Sequence, residues 1–154
     1  MGIEIERKFL VTGDGWRSLA TGTSYRQGYL MAAQGRTVRV RIAGYQGYLT
    51  IKGATQGLTR REFEYEIPLA DAEEMLHHLC DRPLIEKTRY KIPFKGLMWE
   101  VDEFAGENQG LIIAEVELEN EQQAIALPEW IGQDVSHDPR YYNAYLSKHP
   151  YTRW

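Results

Sequence analysis

The sequence predicts a β-rich α+β fold: one domain over residues 1–154, built as a closed eight-stranded antiparallel β-barrel with helices packed outside. Three observations lead there. Most of the chain falls into short alternating polar and apolar stretches, separated by turn signals such as Gly13-Asp14-Gly15, Ala43-Gly44 and Lys95-Gly96. One intervening stretch instead repeats its apolar residues at helical spacing. The polar side of almost every alternating stretch is charged rather than mixed, which suits an enclosed face better than a solvated one.

The strands are expected at residues 3–10, 25–32, 37–43, 47–52, 60–67, 86–92, 97–104 and 111–119. Side chains two apart in a strand share a face, so each stretch divides into two rows. Glu4, Glu6 and Lys8 oppose Ile3, Ile5 and Phe9, with Arg7 interrupting the apolar row. Arg39 and Arg41 oppose Val38, Val40 and Ile42, and Tyr48, Thr50 and Lys52 oppose Leu49 and Ile51. Glu62, Glu64 and Glu66 alternate with Phe63, Tyr65 and Ile67, and Lys87, Arg89 and Lys91 with Thr88, Tyr90 and Ile92. Glu100 and Asp102 oppose Trp99 and Val101, while Glu115, Glu117 and Glu119 oppose Val116 and Leu118.

The helical stretch is 70–80, where Ala72, Met75, Leu76 and Leu79 recur at helical spacing and Asp71 is positioned to cap the start. Shorter helices are predicted at 122–127, ended by Pro128, and at 139–148, where Tyr142, Tyr145 and Leu146 share a face. A further short helix is predicted at 16–20. No repeat, linker or domain boundary interrupts this series.

Composition narrows the function classes. With 22 acidic and 18 basic side chains the net charge is -4, which argues against a general nucleic-acid binder. The single cysteine, Cys80, forms no internal bridge and rules out a CxxC or Cys/His zinc site, so a cytoplasmic location is expected. The charged start, MGIEIERK, and the absence of a long apolar run predict neither a signal peptide nor a membrane span.

The sign of the charge is sorted by strand: cationic in the third, fourth and sixth, anionic in the fifth, seventh and eighth, and mixed in the first. Rows of like charge repel across a sheet unless counter-charges face them. Divalent cations suit rows of carboxylates, Mg²⁺ in particular taking a few carboxylates together with phosphates and water. Arginine and lysine rows suit phosphate oxygens. An eight-stranded barrel is just wide enough to hold one small ligand, so the charged rows become its lining. There Lys8, Arg39, Arg41, Lys52, Lys87 and Arg89 face the more numerous Glu4, Glu6, Glu62, Glu64, Glu100, Asp102, Glu115 and Glu117. The lining is net negative until divalent metals enter, and with two of them it becomes a receptor for a polyphosphate.

The stretch Glu4-Ile5-Glu6-Arg7-Lys8 matches the ExExK signature of the CYTH superfamily, the triphosphate tunnel metalloenzymes. The chain also resembles that family at Gln27-Gly28-Tyr29-Leu30, Arg39-Val40-Arg41, Lys52, Glu62-Phe63-Glu64, Lys87-Thr88-Arg89, Glu100-Val101-Asp102, Glu115-Val116-Glu117 and Arg140-Tyr141-Tyr142-Asn143, followed by Lys148. The resemblance implies a metal-dependent triphosphatase using Mg²⁺ or Mn²⁺, two per site, with metal-activated water as nucleophile. Glu4, Glu6 and Glu117 are implied as ligands of one metal, and Glu62, Glu64, Asp102 and Glu115 as those of a second. Lys8, Arg39, Arg41, Lys52, Lys87 and Arg89 are implied as phosphate clamps.

Inorganic triphosphate is the expected substrate, because little sequence remains outside the barrel to build a nucleoside pocket. Class IV adenylyl cyclase, thiamine or nucleoside triphosphatase, and a non-catalytic polyphosphate-binding module are the alternatives. Tyr29 is a candidate catalytic proton acceptor, although tyrosine is ordinarily a poor base near pH 7 and a hydroxyl donor to phosphate is the competing role. Glu66, Lys91 and Glu119 are expected at the mouth in solvent, and His77 and His78 on the surface. Lys148 either reaches the tunnel or neutralises its helix's C-terminus. The aromatic tail, 151–154, is a packing element or an oligomer contact, which leaves a homodimer open. No nucleic-acid or membrane partner is expected.

Overall fold

A computed structural model describes residues 2–154. The strands are β1 (Ile3–Val11), β2 (Gly22–Ala33), β3 (Arg36–Ala43), β4 (Gln46–Lys52), β5 (Thr59–Ile67), β6 (Ile85–Phe94), β7 (Leu97–Phe104), β8 (Ile112–Glu117) and β9 (Ile131–Asp134). Two α-helices, α1 (Leu69–His78) and α2 (Asn143–Lys148), and four short 3₁₀ turns complete the chain. The sheet runs β5-β4-β3-β2-β6-β7-β8-β1-β9, antiparallel throughout, and an additional β1–β5 pairing closes the first eight strands into a ring.

The closure is uneven. β1 pairs with β5 only through Ile3↔Arg61, Glu4↔Arg60 and Ile5↔Thr59, whereas β6 and β7 pair along eight residues. Beyond Ile5 the same edge of β1 turns to β9, through Phe9↔Asp134 and Val11↔Ile131. The predicted sequence pattern did not include β9. Its four residues contain Gly132 and carry little strand signal, and their pairing is decided by β1 rather than by local propensity. β9 also accounts for Arg7: the arginine stands in the outer row and binds Asp134 at 2.9 Å, with its guanidinium 4.8 Å from the Phe9 ring.

The hairpins turn where the sequence indicated. Gln34-Gly35 and Lys95-Gly96 both have positive φ, which suits the right-handed twist of two-residue hairpin connections. In β2 the register against β3 shifts between Tyr29 and Met31, a bulge beyond which Met31 pairs with Val38 of the outer row and Ala32 with Thr37.

The outward apolar rows lie under two covers. Trp16, from a 3₁₀ turn at Gly15–Ser18 within the region predicted as the 16–20 helix, is fully buried with Phe9, Trp99, Val101, Val116 and Trp130. α1 lies on β3 and β4, where Val40 and Ile42 meet Ala72 and Leu76. It begins after Pro68 with no side-chain cap bond, so Asp71 occupies the first turn and is not the N-cap. A third apolar group, Ile85, Phe104, Leu111 and Ile113 around Leu146 of α2, lies instead on the inner side at one end of the ring.

Two predicted helices differ. The segment 122–127 is not helical: Asn120 Oδ1 accepts from the Gln122 amide at 3.0 Å and Gln123 Oε1 from the Glu119 amide at 2.7 Å, so side chains take the bonds a helix would need. A six-residue helix with no packed face also lacks the length to sustain its nucleus. The 139–148 helix divides into a 3₁₀ turn at Pro139–Tyr141 and α2, because Tyr142 adopts extended backbone between them. Among the described residues no helix is long and apolar enough to cross a membrane.

Candidate active site

The register shows how the charged rows meet inside the ring. Lys8 stands opposite Glu115, Glu115 opposite Glu100, and Glu100 opposite Lys91, across β1, β8, β7 and β6. Glu6 faces Glu117, and Glu4 faces Arg60. On the other wall Glu62, Lys52 and Thr37 form one level, and Glu64, Thr50, Arg39 and Tyr29 the next. All of these side chains except Thr50 border a cavity of about 1010 Å³. At one end the inward parity turns apolar: Ile85 follows Lys87, Phe104 follows Asp102 and Ile113 follows Glu115, each two residues along its strand. With Leu146 of α2 they fill that part of the interior, while Tyr142, Asn143, Tyr145 and Lys148 complete the wall beside them.

Of the predicted residues, Glu4, Glu6, Lys8, Tyr29, Arg39, Arg41, Lys52, Glu62, Glu64, Lys87, Arg89, Glu115 and Glu117 all border this cavity, as does Glu100. Asp102 does not. It is fully buried behind the wall, 2.7 Å from Lys87 Nζ and joined to Arg89 by two bonds of 2.7 and 2.8 Å. Lys91 borders the cavity, whereas Glu66 and Glu119 are exposed and lie off it. His77 and His78 are exposed on α1. Lys148 reaches the wall and donates to the Ala32 carbonyl at 3.2 Å.

Parity could have added Arg60, which shares a row with Glu62 and donates to Glu4 at 3.2 Å. Asn143 and Gln27 were visible only as parts of a motif. Asn143 Oδ1 accepts from both Gln27 Nε2 and Lys87 Nζ, a meeting of three distant segments that no local pattern encodes.

The charges divide into two populations. One is ion-paired: Lys8 with Glu115 and Glu6, Lys52 with Glu4 and Glu62, Lys87 with Asp102, and Arg89 with Asp102, Glu100 and Glu115. Burial opposes ionisation of Glu4, but Lys52 and Arg60 outweigh it and hold its carboxyl down to about 2. Burial also opposes ionisation of Glu115, and Lys8, Arg89 and Lys87 bring it well below the carboxylate range.

For the remaining groups, and for Glu6 and Glu62 despite their contacts with Lys8 and Lys52, pairing does not offset burial. Burial, Glu115 and Glu4 lift Glu6 to about 7 despite the pull of Lys8. Burial with Glu4, Glu62 and Glu100 raises Glu117. Burial lifts Glu62 as well, against the pull of Lys52. Among the cations, burial with Arg39 and Arg89 brings Arg41 down to about 9. Arg39 reaches Thr50 and Glu64 through one nitrogen, at 3.1 and 3.3 Å, while its Nε is buried without a partner.

These features define an anion receptor beside an oxygen-rich patch. Among the described residues no group of three or more acidic, histidine or cysteine side chains is gathered into a metal cluster by itself. The donor set fits a divalent cation that takes part of its coordination from phosphate: Glu4, Glu6, Glu62 and Glu117 are hard oxygen donors, and burial raises the last three.

Comparison with known proteins agrees with this geometry. The CYTH domain family matches residues 2–142. The chain is 54% identical over 151 residues to a protein of Acetivibrio thermocellus named inorganic triphosphatase, covering 98% of this chain and 97% of that one. It is 38% identical over 149 residues to a Nitrosomonas europaea protein of the same name, covering 94% and 96%. A solved structure described as an inorganic triphosphatase superposes with a TM-score of 0.66 at 34% identity, covering 93% of this chain and 96% of the other.

Proposed function

The chain belongs to the CYTH domain family, and on that premise we propose that it is a divalent-metal-dependent triphosphatase that hydrolyses inorganic triphosphate inside its barrel. One observation carries the reading: Arg41, bonded to an amide rather than a carboxylate, and Arg39, whose Nε is unpartnered, border the same cavity as Glu6, Glu62 and Glu117, carboxylates whose burial is not offset by the cations beside them. A phosphate chain supplies anions to the first set, and cations arriving with it supply charge to the second. The two relatives named inorganic triphosphatase support the choice of substrate, since each is covered almost end to end.

Phosphoryl transfer is achieved mainly by positioning and charge stabilisation. Lys8, Arg39, Arg41, Lys52, Lys87 and Arg89 hold the phosphate oxygens, with Arg60 adding charge beside Glu4. Tyr29, buried on the wall at the level of Arg39, offers its hydroxyl to a phosphate oxygen. Glu4, Glu6, Glu62 and Glu117 would hold Mg²⁺ or Mn²⁺, two in all, with Glu64 and Glu115 beside them. Such cations supply charge neutralisation and lower the pKa of water. Asp102 serves instead as the buried counter-ion of Lys87 and Arg89.

The test is phosphate release from inorganic triphosphate, pyrophosphate, ATP and thiamine triphosphate, with Mg²⁺, Mn²⁺ or excess chelator, watching ATP for cyclic AMP. Turnover is expected to be metal-dependent and greatest on inorganic triphosphate, and Glu6→Gln should abolish it while keeping a folded circular dichroism spectrum. Cyclic AMP as the main product, or full activity in chelator, would overturn the proposal.

A further inference from the structure

Gln27 is completely buried, and an amide persists in such a place when its hydrogen bonds are made. Both ends are committed. Oε1 accepts from Nε of Arg41 at 2.7 Å, and Nε2 donates to Oδ1 of Asn143 at 3.1 Å. That Oδ1 also accepts from Lys87 Nζ at 3.0 Å, so the chain of bonds runs from β3 through β2 to α2 and on to β6.

Arg41 differs from the cations around it. Lys8, Lys52, Lys87 and Arg89 each lie within 3.4 Å of a carboxylate oxygen, while Arg41 donates its hydrogen bond to the neutral Gln27 and packs 5.0 Å from the Tyr25 ring centroid. Arg89 packs on the same ring at 4.9 Å. A carboxylate at position 27 would orient the guanidinium equally well but would also cancel its charge. An amide orients the group and leaves that charge for an incoming anion.

We infer that Gln27 is a positioning residue for polyphosphate binding, holding Arg41 as an uncompensated cation of the cavity and linking it through Asn143 to α2. This rests on the reading of the site as a triphosphate receptor. It makes an acceptor without charge at position 27, rather than shape, the feature that matters.

The experiment is a double-mutant cycle between Gln27→Met and Arg41→Ala. It is read as the Kd for tripolyphosphate by calorimetry in chelator, and as KM and kcat with metal, on variants whose circular dichroism and Tm show folding. Gln27→Met should weaken binding about ten- to a hundredfold, the scale of one hydrogen bond to a charged group, and raise KM more than it lowers kcat. In the Arg41→Ala background the same change should alter Kd by less than about twofold, because the interaction it disrupts is already gone. Gln27→Glu, which retains shape and acceptor, should weaken binding as much as Gln27→Met. An equal loss in both backgrounds, or wild-type affinity in Gln27→Glu, would overturn the inference. A wild type that binds tripolyphosphate without hydrolysing it overturns the proposed reaction and leaves the cycle readable in Kd. A wild type that does not bind it overturns both.

Discussion

Asp102 and Glu117 stand on adjacent strands with the same formal charge, yet their surroundings give them opposite energetic signs. Burial works against ionised Asp102, but Arg89 and Lys87 more than offset it and lower its pKa. Replacing it with asparagine removes the carboxylate that pairs Lys87 and one of three that pair Arg89, so Asp102→Asn should lower the stability of the metal-free protein by about 3–5 kcal/mol in urea unfolding. Glu117 is raised by burial and by Glu4, Glu62 and Glu100. A carboxyl raised on folding stabilises the fold at pH values below its unfolded pKa and loses that contribution as pH rises through the folded one. At neutral pH its ionised form therefore opposes folding. Glu117→Gln should raise the metal-free Tm at pH 7 and remove metal-dependent turnover. A fall in Tm would show that Glu117 is compensated after all. Alternation by itself placed both residues on the inner face but could not separate them, because parity reports direction and not which cation lies within 3 Å.

At the scale of the element, β9 shows what alternation does not register. Its hold on β1 is a cluster of directional bonds: Asp134 accepts from the Ser136 amide at 2.8 Å, from its hydroxyl at 2.6 Å and from Arg7 at 2.9 Å. Ser136 in turn accepts from the Lys8 amide at 2.9 Å. Burial raises the Asp134 pKa, and the Ser136 bonds and Arg7 outweigh it, leaving it below 3.8. The linkage for a lowered carboxyl is the reverse of that for Glu117: its contribution is present above the unfolded value near 3.8 and is lost as pH falls through the folded one. Asp134→Ala should cost about 1 kcal/mol at pH 7, discounted for its exposure to solvent, and the gap from wild type should narrow below pH 3.8. A constant gap across acid pH would assign the loss to packing. Strands β1 to β8 were legible because each repeats its pattern over six or more residues, whereas β9, the 122–127 segment and the break at Tyr142 are settled by side-chain bonds and neighbours.

For the whole molecule the consequence lies at the seam. The ring closes through three residue pairs between β1 and β5, flanked by the Glu62 amide on the Gly2 carbonyl at 3.1 Å and the Glu6 amide on the Leu58 carbonyl at 3.3 Å. Side chains reinforce it from inside, where Glu4 of β1 meets Lys52 of β4 and Arg60 of β5. The sequence indicated a closed barrel, and uniform closure is what eight strands of similar length suggest. The actual distribution of pairing follows from β1 sharing one edge between β5 and β9. A short ladder opens at lower free energy than a long one, so amides at Ile3–Ile5 and Thr59–Glu62 should exchange with deuterium faster than those of β6 and β7. The carboxylates proposed for the cations come from both sides of this seam, Glu4 and Glu6 from β1 and Glu62 from β5, with Glu117 from β8. Adding Mg²⁺ together with a non-hydrolysed triphosphate analogue should therefore slow exchange at the seam by a larger factor than at the β6–β7 ladder, since a ligand bound across two strands stabilises only the state in which they are joined. Protection confined to β6 and β7 would place the cations beside Glu100 instead. Protection rising equally everywhere would mean that the seam opens only with the whole fold.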